Sequence, residues 1–292
     1  MLRRRRQPKQ LNIPLLKGVI MGALSAVIGL GSAFTGLGAQ VAAAPTIDFM
    51  LGYAVDRTAG SAMVVALCAA VAGVGAAHLG GTPVDAASAL LVTAGATVGV
   101  MAFGGRKAGD RLMRLRLLAQ GVVVVGMLFV MSAALRGGPL GPEPFDIRVA
   151  RGPIGLIGIG FLCGLMSAAF EVTTGALLVP GLVFVGAKRP DEAIAISLIV
   201  VAIASSLPVL GHVAAGRLDL RMCVWMGGGA AAGGWLGGWL LALCREPVHP
   251  APLLVFAAFS MFASAAYSAR HSGAPVDGGS APPVGGSSGP AP

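Results

Sequence analysis

Gly36-Leu37-Gly38-Ala39-Gln40-Val41-Ala42-Ala43-Ala44-Pro45 is the stretch on which the fold turns, and it has a partner, Glu171-Val172-Thr173-Thr174-Gly175-Ala176-Leu177-Leu178-Val179-Pro180. Each lies inside a long apolar run. Gly18 to Ile47 carries no charge at all, and Gly152 to Ala187 carries only Glu171. Such runs exceed the roughly 20 residues that one straight helix needs to cross a bilayer. Glycines allow the chain to turn, expose N–H groups, and let a helix begin with its positive end toward whatever binds there. That arrangement suits a small anion. Close helix packing of the small-x-x-x-small kind is the alternative, which Gly18 and Gly22 serve in any case.

Outward from these runs the chain stays apolar. Of its 292 residues 55% are hydrophobic and 11% charged, against roughly 25% charged in soluble domains. Eight apolar segments follow one another, at 18–45, 58–79, 87–105, 117–135, 153–180, 193–213, 222–243 and 251–268. This predicts an all-α polytopic membrane protein. The expected organisation is a basic N-terminus (1–17), a first membrane repeat (18–135), a linker (136–152), a second membrane repeat (153–268) and a disordered tail rich in Gly, Pro and Ser (269–292).

The repeat is read by sliding the chain on itself by 134 or 135 positions. Gly29 then falls on Gly164, Ser32 on Ser167, Pro45 on Pro180, His78 on His212, Asp85 on Asp219, Gly95 on Gly229 and Gly99 on Gly233. Equivalent loops differ in charge: 106–116 holds five Lys or Arg and its counterpart 240–250 only Arg245, whereas 78–88 holds none and 212–222 holds Arg217 and Arg221. Opposite bias predicts halves inserted with opposite orientation, an inverted repeat. Inversion needs an odd number of crossings per half. Each half is therefore expected to open with a broken or re-entrant helix pair, turning between Gly29-Leu30-Gly31 and Gly36-Leu37-Gly38 and again at Pro45. A further break is expected at Ser205-Ser206-Leu207-Pro208.

The net charge of +9 comes largely from Arg3–Arg6 with Lys9 and Lys17, and from the five cations of 106–116. Both clusters flank apolar segments, which argues for the positive-inside effect and a cytoplasmic N-terminus in the cell membrane, and against nucleic-acid binding. Cys68, Cys163, Cys223 and Cys244 share no metal-binding spacing and read as small buried hydrophobes, so neither a metal nor another cofactor is expected. No phosphate-binding loop is present, and Glu171 has no companion that would make an intramembrane enzyme.

The glycine runs resemble those of the TauE/SafE family of membrane exporters for sulfite and organosulfonates, in which each half opens with a glycine-rich run ending in proline and later carries a histidine, a small-residue turn and an aspartate. Gly36, Gly38 and Pro45 match in the first half, and Gly175 and Pro180 in the second. Ala39, Gln40, Glu171, Thr173 and Thr174 stand where glycine is usual. The resemblance implies an exporter of a small anion working by alternating access. Its partners would be that solute, membrane lipid and, as a further option, a second copy of the chain in a homo-oligomer. The other class is a non-transporting membrane scaffold or biogenesis factor. The expected solute-binding residues are Gly36, Gly38, Gln40, Pro45, Thr173, Thr174, Gly175 and Pro180. Glu171 is an acid in an otherwise uncharged span and a candidate for proton coupling. His78 and His212, paired across the repeat, are candidates for gating or proton sensing.

Overall fold

The computed structural model describes residues 15–51, 55–83, 85–103, 152–170, 174–184, 186, 188–216 and 218–243, and all its regular elements are helices. They are α1 (Leu15–Thr35), α2 (Gln40–Leu51), α3 (Val55–Leu79), α4 (Ala86–Phe103), α5 (Pro153–Phe170), α6 (Thr174–Phe184), α7 (Pro190–Ala214) and α8 (Leu220–Leu243). Among the described residues three stretches, Leu15–Thr35, Thr58–Leu79 and Asp191–Ala214, are long and apolar enough to cross a membrane. Large apolar side chains such as Val27, Leu90, Leu162, Leu210 and Leu236 point outward, the pattern of a surface solvated by lipid rather than water.

Each long opening run is a helix pair, α1 with α2 and α5 with α6. The first break is confined to residues 36–39. Gly29 and Gly31, expected in the turn, lie within α1 instead. The reason for Gly29 is packing, since a side chain there would run into the carbonyl of Ala230. Pro45 and Pro180 do not end their helices, which run on to Leu51 and Phe184. Each proline lacks an N–H and so releases the carbonyl four residues earlier, at Val41 and Ala176, without stopping the helix. Likewise α7 continues through Pro208 to Ala214, so the break expected there is absent.

Glycine contacts fix the helix directions. Side chains on Gly229, Gly233 and Gly237 would strike the carbonyls of Gly22, Ala26 and Leu30, so α1 and α8 run parallel. Gly95 and Gly99 meet the carbonyls of Ile157 and Phe161 in the same way, and α4 and α5 run parallel. These are one contact seen twice, because the repeat offset of 134 or 135 residues carries Gly22 onto Ile157, Ala26 onto Phe161, Gly95 onto Gly229 and Gly99 onto Gly233. Close backbone approach of this kind is how apolar helices associate where lipid removes the hydrophobic drive. The hydroxyl of Ser25 adds a bond to the carbonyl of Met226 at 2.6 Å. Helix α3 runs parallel to α8, with Gly234 against Ala69 and Gly238 against Gly73. It runs antiparallel to α7, with Gly60 against His212 and Gly73 against Leu198.

The buried apolar residues form two clusters. One is built mainly on α1, α2, α3 and α8, around Met21, Ile47, Val65 and Met226; the other on α4, α5, α6 and α7, around Val92, Ile159, Leu182 and Ile196. Each bundle thus holds three helices from one half of the chain and one from the other, α8 and α4 having changed places. The seam between them runs along α7, whose Ile194, Leu198 and Val201 face the first cluster while Ala193, Ile196 and Val200 face the second.

Candidate functional site: the junction of the glycine turns

At the end of α1 the chain reverses through two residues that a side chain would strain, Gly36 at φ 71° and Gly38 at φ 84°. Thr35 fastens the turn, its hydroxyl donating to the carbonyl of Gly31 at 2.7 Å and accepting from the N–H of Leu37 at 3.3 Å. The Gly36 N–H bonds to the Ser32 carbonyl at 2.8 Å and closes the last turn of α1. The turn is interior: Leu37 is 5% exposed and Ala39 fully buried. Helix α2 then starts at Gln40, which is half-buried, after an alanine that has no side chain to cap it. The first N–H groups of any helix lack an intrahelical acceptor, so the amides at this buried start are available as donors.

The second half comes to the same place. Gly175, the second residue of α6, packs so closely that a Cβ there would enter the carbonyl oxygen of Gly36 and lie 3.1 Å from Leu37 C and 3.1 Å from Ser197 Oγ. Ser197, on α7 and fully buried, donates to the Gly36 carbonyl at 2.8 Å across 161 residues of sequence. Val179 and Ile194 close the far side of Gly36. The structure therefore brings together Gly36, Gly38, Gln40 and Gly175. Pro45 and Pro180 lie farther along α2 and α6, half-buried. Thr174 is the first residue of α6, whereas Glu171 and Thr173 lie outside the described residues, as do loop 106–116 and the tail.

The histidines are not brought together. His78 is exposed at the end of α3, and His212 packs its ring against Gly60 near the start of α3, some 18 residues or roughly 27 Å along the helix. The His212 Nδ1 is buried with no partner among the described residues. The repeated pattern of histidine, small residues and aspartate has a local structural role. Gly81 (φ 85°) and Gly216 (φ 63°) terminate α3 and α7 in the left-handed conformation. Asp85 then accepts from the Ser88 N–H at 3.1 Å and Asp219 from the Met222 N–H at 3.4 Å, capping α4 and α8.

Lys188 donates to Asp85 at 2.9 Å and to Glu192 at 2.8 Å, holding α4 to the start of α7 within the second bundle. The Ser88 hydroxyl and Lys188 together hold the Asp85 carboxyl well below the usual carboxylate range. Burial opposes the charge of Lys188, but its bonds to Glu192 and Asp85 outweigh that and leave its pKa raised.

One residue was missed in the sequence reading. Asp48 is 5% exposed on α2 and is the only carboxyl or basic side chain among the buried described residues. Closing the first apolar segment at Pro45 hid it; an acid three residues beyond, still amid Ile47, Phe49 and Met50, was the available signal.

Among the described residues, helices alone, with outward apolar faces, glycine-mediated contacts and two helix pairs meeting in the interior, make the fold of a membrane protein. The chain belongs to the sulfite exporter TauE/SafE family, whose model matches residues 113–268, just over half of its 292 residues. The match covers the second half, so the resemblance carried by Gly36, Gly38 and Pro45 lies outside it. No curated protein and no solved structure matches the chain.

Proposed function

We propose that this chain exports a small anion, sulfite or an organosulfonate, across the cell membrane by alternating access. The observation that carries the reading is the buried junction at which the Gly36–Gly38 turn, the start of α6 at Gly175 and Ser197 converge from both halves. Amides at the buried start of α2 would supply donors for an anion without placing a fixed cation in the membrane. Family membership supplies the solute class.

An inverted repeat is supported by the helix directions. Helices α1, α3 and α8 run one way; α7 opposes α3, and the short turn after Leu79 returns the chain through α4, which α5 follows. The repeat-equivalent helices α1 and α5, α3 and α7, and α4 and α8 are then all opposed, as expected of halves related by an axis in the membrane plane. Helices α2 and α6, of 12 and 11 residues, are too short to span and read as the inner arms of re-entrant pairs. The start of α1, the end of α4 and the α7–α8 turn share one face. The basic clusters at 3–17 and 106–116, with Arg217 and Arg221, favour that face as cytoplasmic. Glu171, next to this junction in sequence, is the candidate carrier of a coupling proton.

Efflux of a panel of labelled anions from proteoliposomes tests the reading. Saturable efflux of sulfite or an organosulfonate is expected. Flux no greater than that of protein-free vesicles for every anion would favour the scaffold class instead.

A further inference from the structure

Ser197 is fully buried, belongs to α7, and bonds across the seam to a carbonyl of the first bundle. Its hydroxyl stands 3.1 Å from where a Gly175 Cβ would be, so a single oxygen lies beside both the Gly36 turn and the start of α6. Two N–H groups of the Gly36 turn are engaged, that of Gly36 by the Ser32 carbonyl and that of Leu37 by the Thr35 hydroxyl. The Gly36 carbonyl is the group that this hydroxyl satisfies. Left bare, that oxygen would be an unsatisfied buried acceptor close to the residues that open α2, and its negative end would repel an anion.

We propose that Ser197 is the positioning residue of the solute site: its hydroxyl neutralises the Gly36 carbonyl and holds the Gly36–Gly38 turn against Gly175, so that the N–H groups rather than a C=O meet the anion. The inference rests on the junction being the solute site, as argued above. Ser197 does not itself touch the solute in this account. Its removal therefore weakens solute binding in the site more than it slows the passage of solute already bound.

The test is labelled sulfite efflux by the full-length protein in proteoliposomes, normalised to folded protein, for the parent, Ser197→Ala and Ser197→Cys. Alanine leaves the carbonyl unpaired and should raise KM about tenfold, the effect of one lost buried hydrogen bond. The maximal rate should stay within about twofold. Cysteine keeps the size and a weaker donor and should give a KM between the two. A merely structural role would reduce the yield of folded protein and leave KM alone. Parent KM in Ser197→Ala, on a working parent, overturns the role of Ser197 and leaves the transport reading standing. If Ser197→Ala is not recovered folded, Ser197→Cys decides: a KM raised about threefold supports the role, and parent KM overturns it. A parent that moves no sulfite or organosulfonate overturns both.

Discussion

Gly175→Ala adds one methyl group at the point where the two halves touch. The new Cβ would enter the carbonyl oxygen of Gly36 and sit 3.1 Å from both Leu37 C and Ser197 Oγ, so backbone has to move rather than the end of a flexible side chain. Overpacking a close-packed interior costs about 1–3 kcal/mol. Displacing the bond from Ser197 to Gly36 adds about 1 kcal/mol. Alanine's helix preference over glycine, about 1 kcal/mol in a helix interior, offsets little here, because Gly175 is only the second residue of α6. The net penalty is about 2–4 kcal/mol. If it falls on the geometry of the junction, transport per folded molecule drops about 30- to 700-fold, at 1.4 kcal/mol per factor of ten. The assay is anion efflux from proteoliposomes, with folded protein quantified by size-exclusion chromatography. Gly158→Ala is the control, since a Cβ there meets nothing within 4 Å, and its transport should match the parent. Gly175→Ala transporting like that control would refute the close approach of the Gly36 turn and the start of α6.

Valine at Gly38 would place a branched side chain at φ 84°, and it should abolish transport in protein that still inserts; normal efflux would return Gly38 to a packing role. Lys188→Met removes the partner that helps hold Asp85 ionised. Because the folded pKa of Asp85 is depressed, its contribution is present above the unfolded value near 4 and fades as pH falls below it. The parent's advantage over Lys188→Met in thermal unfolding should therefore be at most about 1 kcal/mol near neutral pH, given the exposure of the pair, and should shrink below about pH 4; a difference independent of pH would contradict the ion pair. Glu171→Gln should allow exchange down a solute gradient while abolishing proton-driven accumulation, and an unchanged rate and pH profile would remove Glu171 from coupling. Deleting 271–292 should leave insertion and transport within about twofold of the parent, and loss of either would show that the tail docks.

The turn at Gly36–Gly38 was legible because closely spaced glycines ahead of a proline let an apolar run turn, and because that pattern recurs with Gly175 and Pro180. Gly29, Gly31, Pro45 and Pro208 were misread for one physical reason. Glycine and proline punctuate helices in water, but in lipid the helix continues, glycine serving as a contact surface and proline being tolerated by its neighbours. Reading Pro45 as a stop also cut Asp48 out of the membrane segment. The bond from Ser197 to Gly36 joins residues 161 apart, and no local pattern encodes such a pairing. The exchange of α4 and α8 between bundles was hidden likewise, although the glycines that produce it, Gly95 with Gly229 and Gly99 with Gly233, were already matched by the repeat. His78 and His212 matched equally well, yet the structure places them at opposite ends of α3, since a repeat specifies equivalent surroundings and not proximity.

Occupancy of the junction is measured most directly by solute protection of a single cysteine. Ala39 is fully buried at the end of the Gly36 turn, and Ala39→Cys in a background free of other cysteines places a thiol beside the start of α2. Its rate of reaction with a small maleimide would be followed with and without saturating ethanesulfonate, which unlike sulfite does not attack thiol reagents or disulfides. The account predicts at least about fivefold slowing at position 39 and none at Leu90→Cys, which faces outward at 66% exposure. Equal rates with and without the sulfonate at position 39, in protein that transports it, would contradict the placement of the solute at this junction.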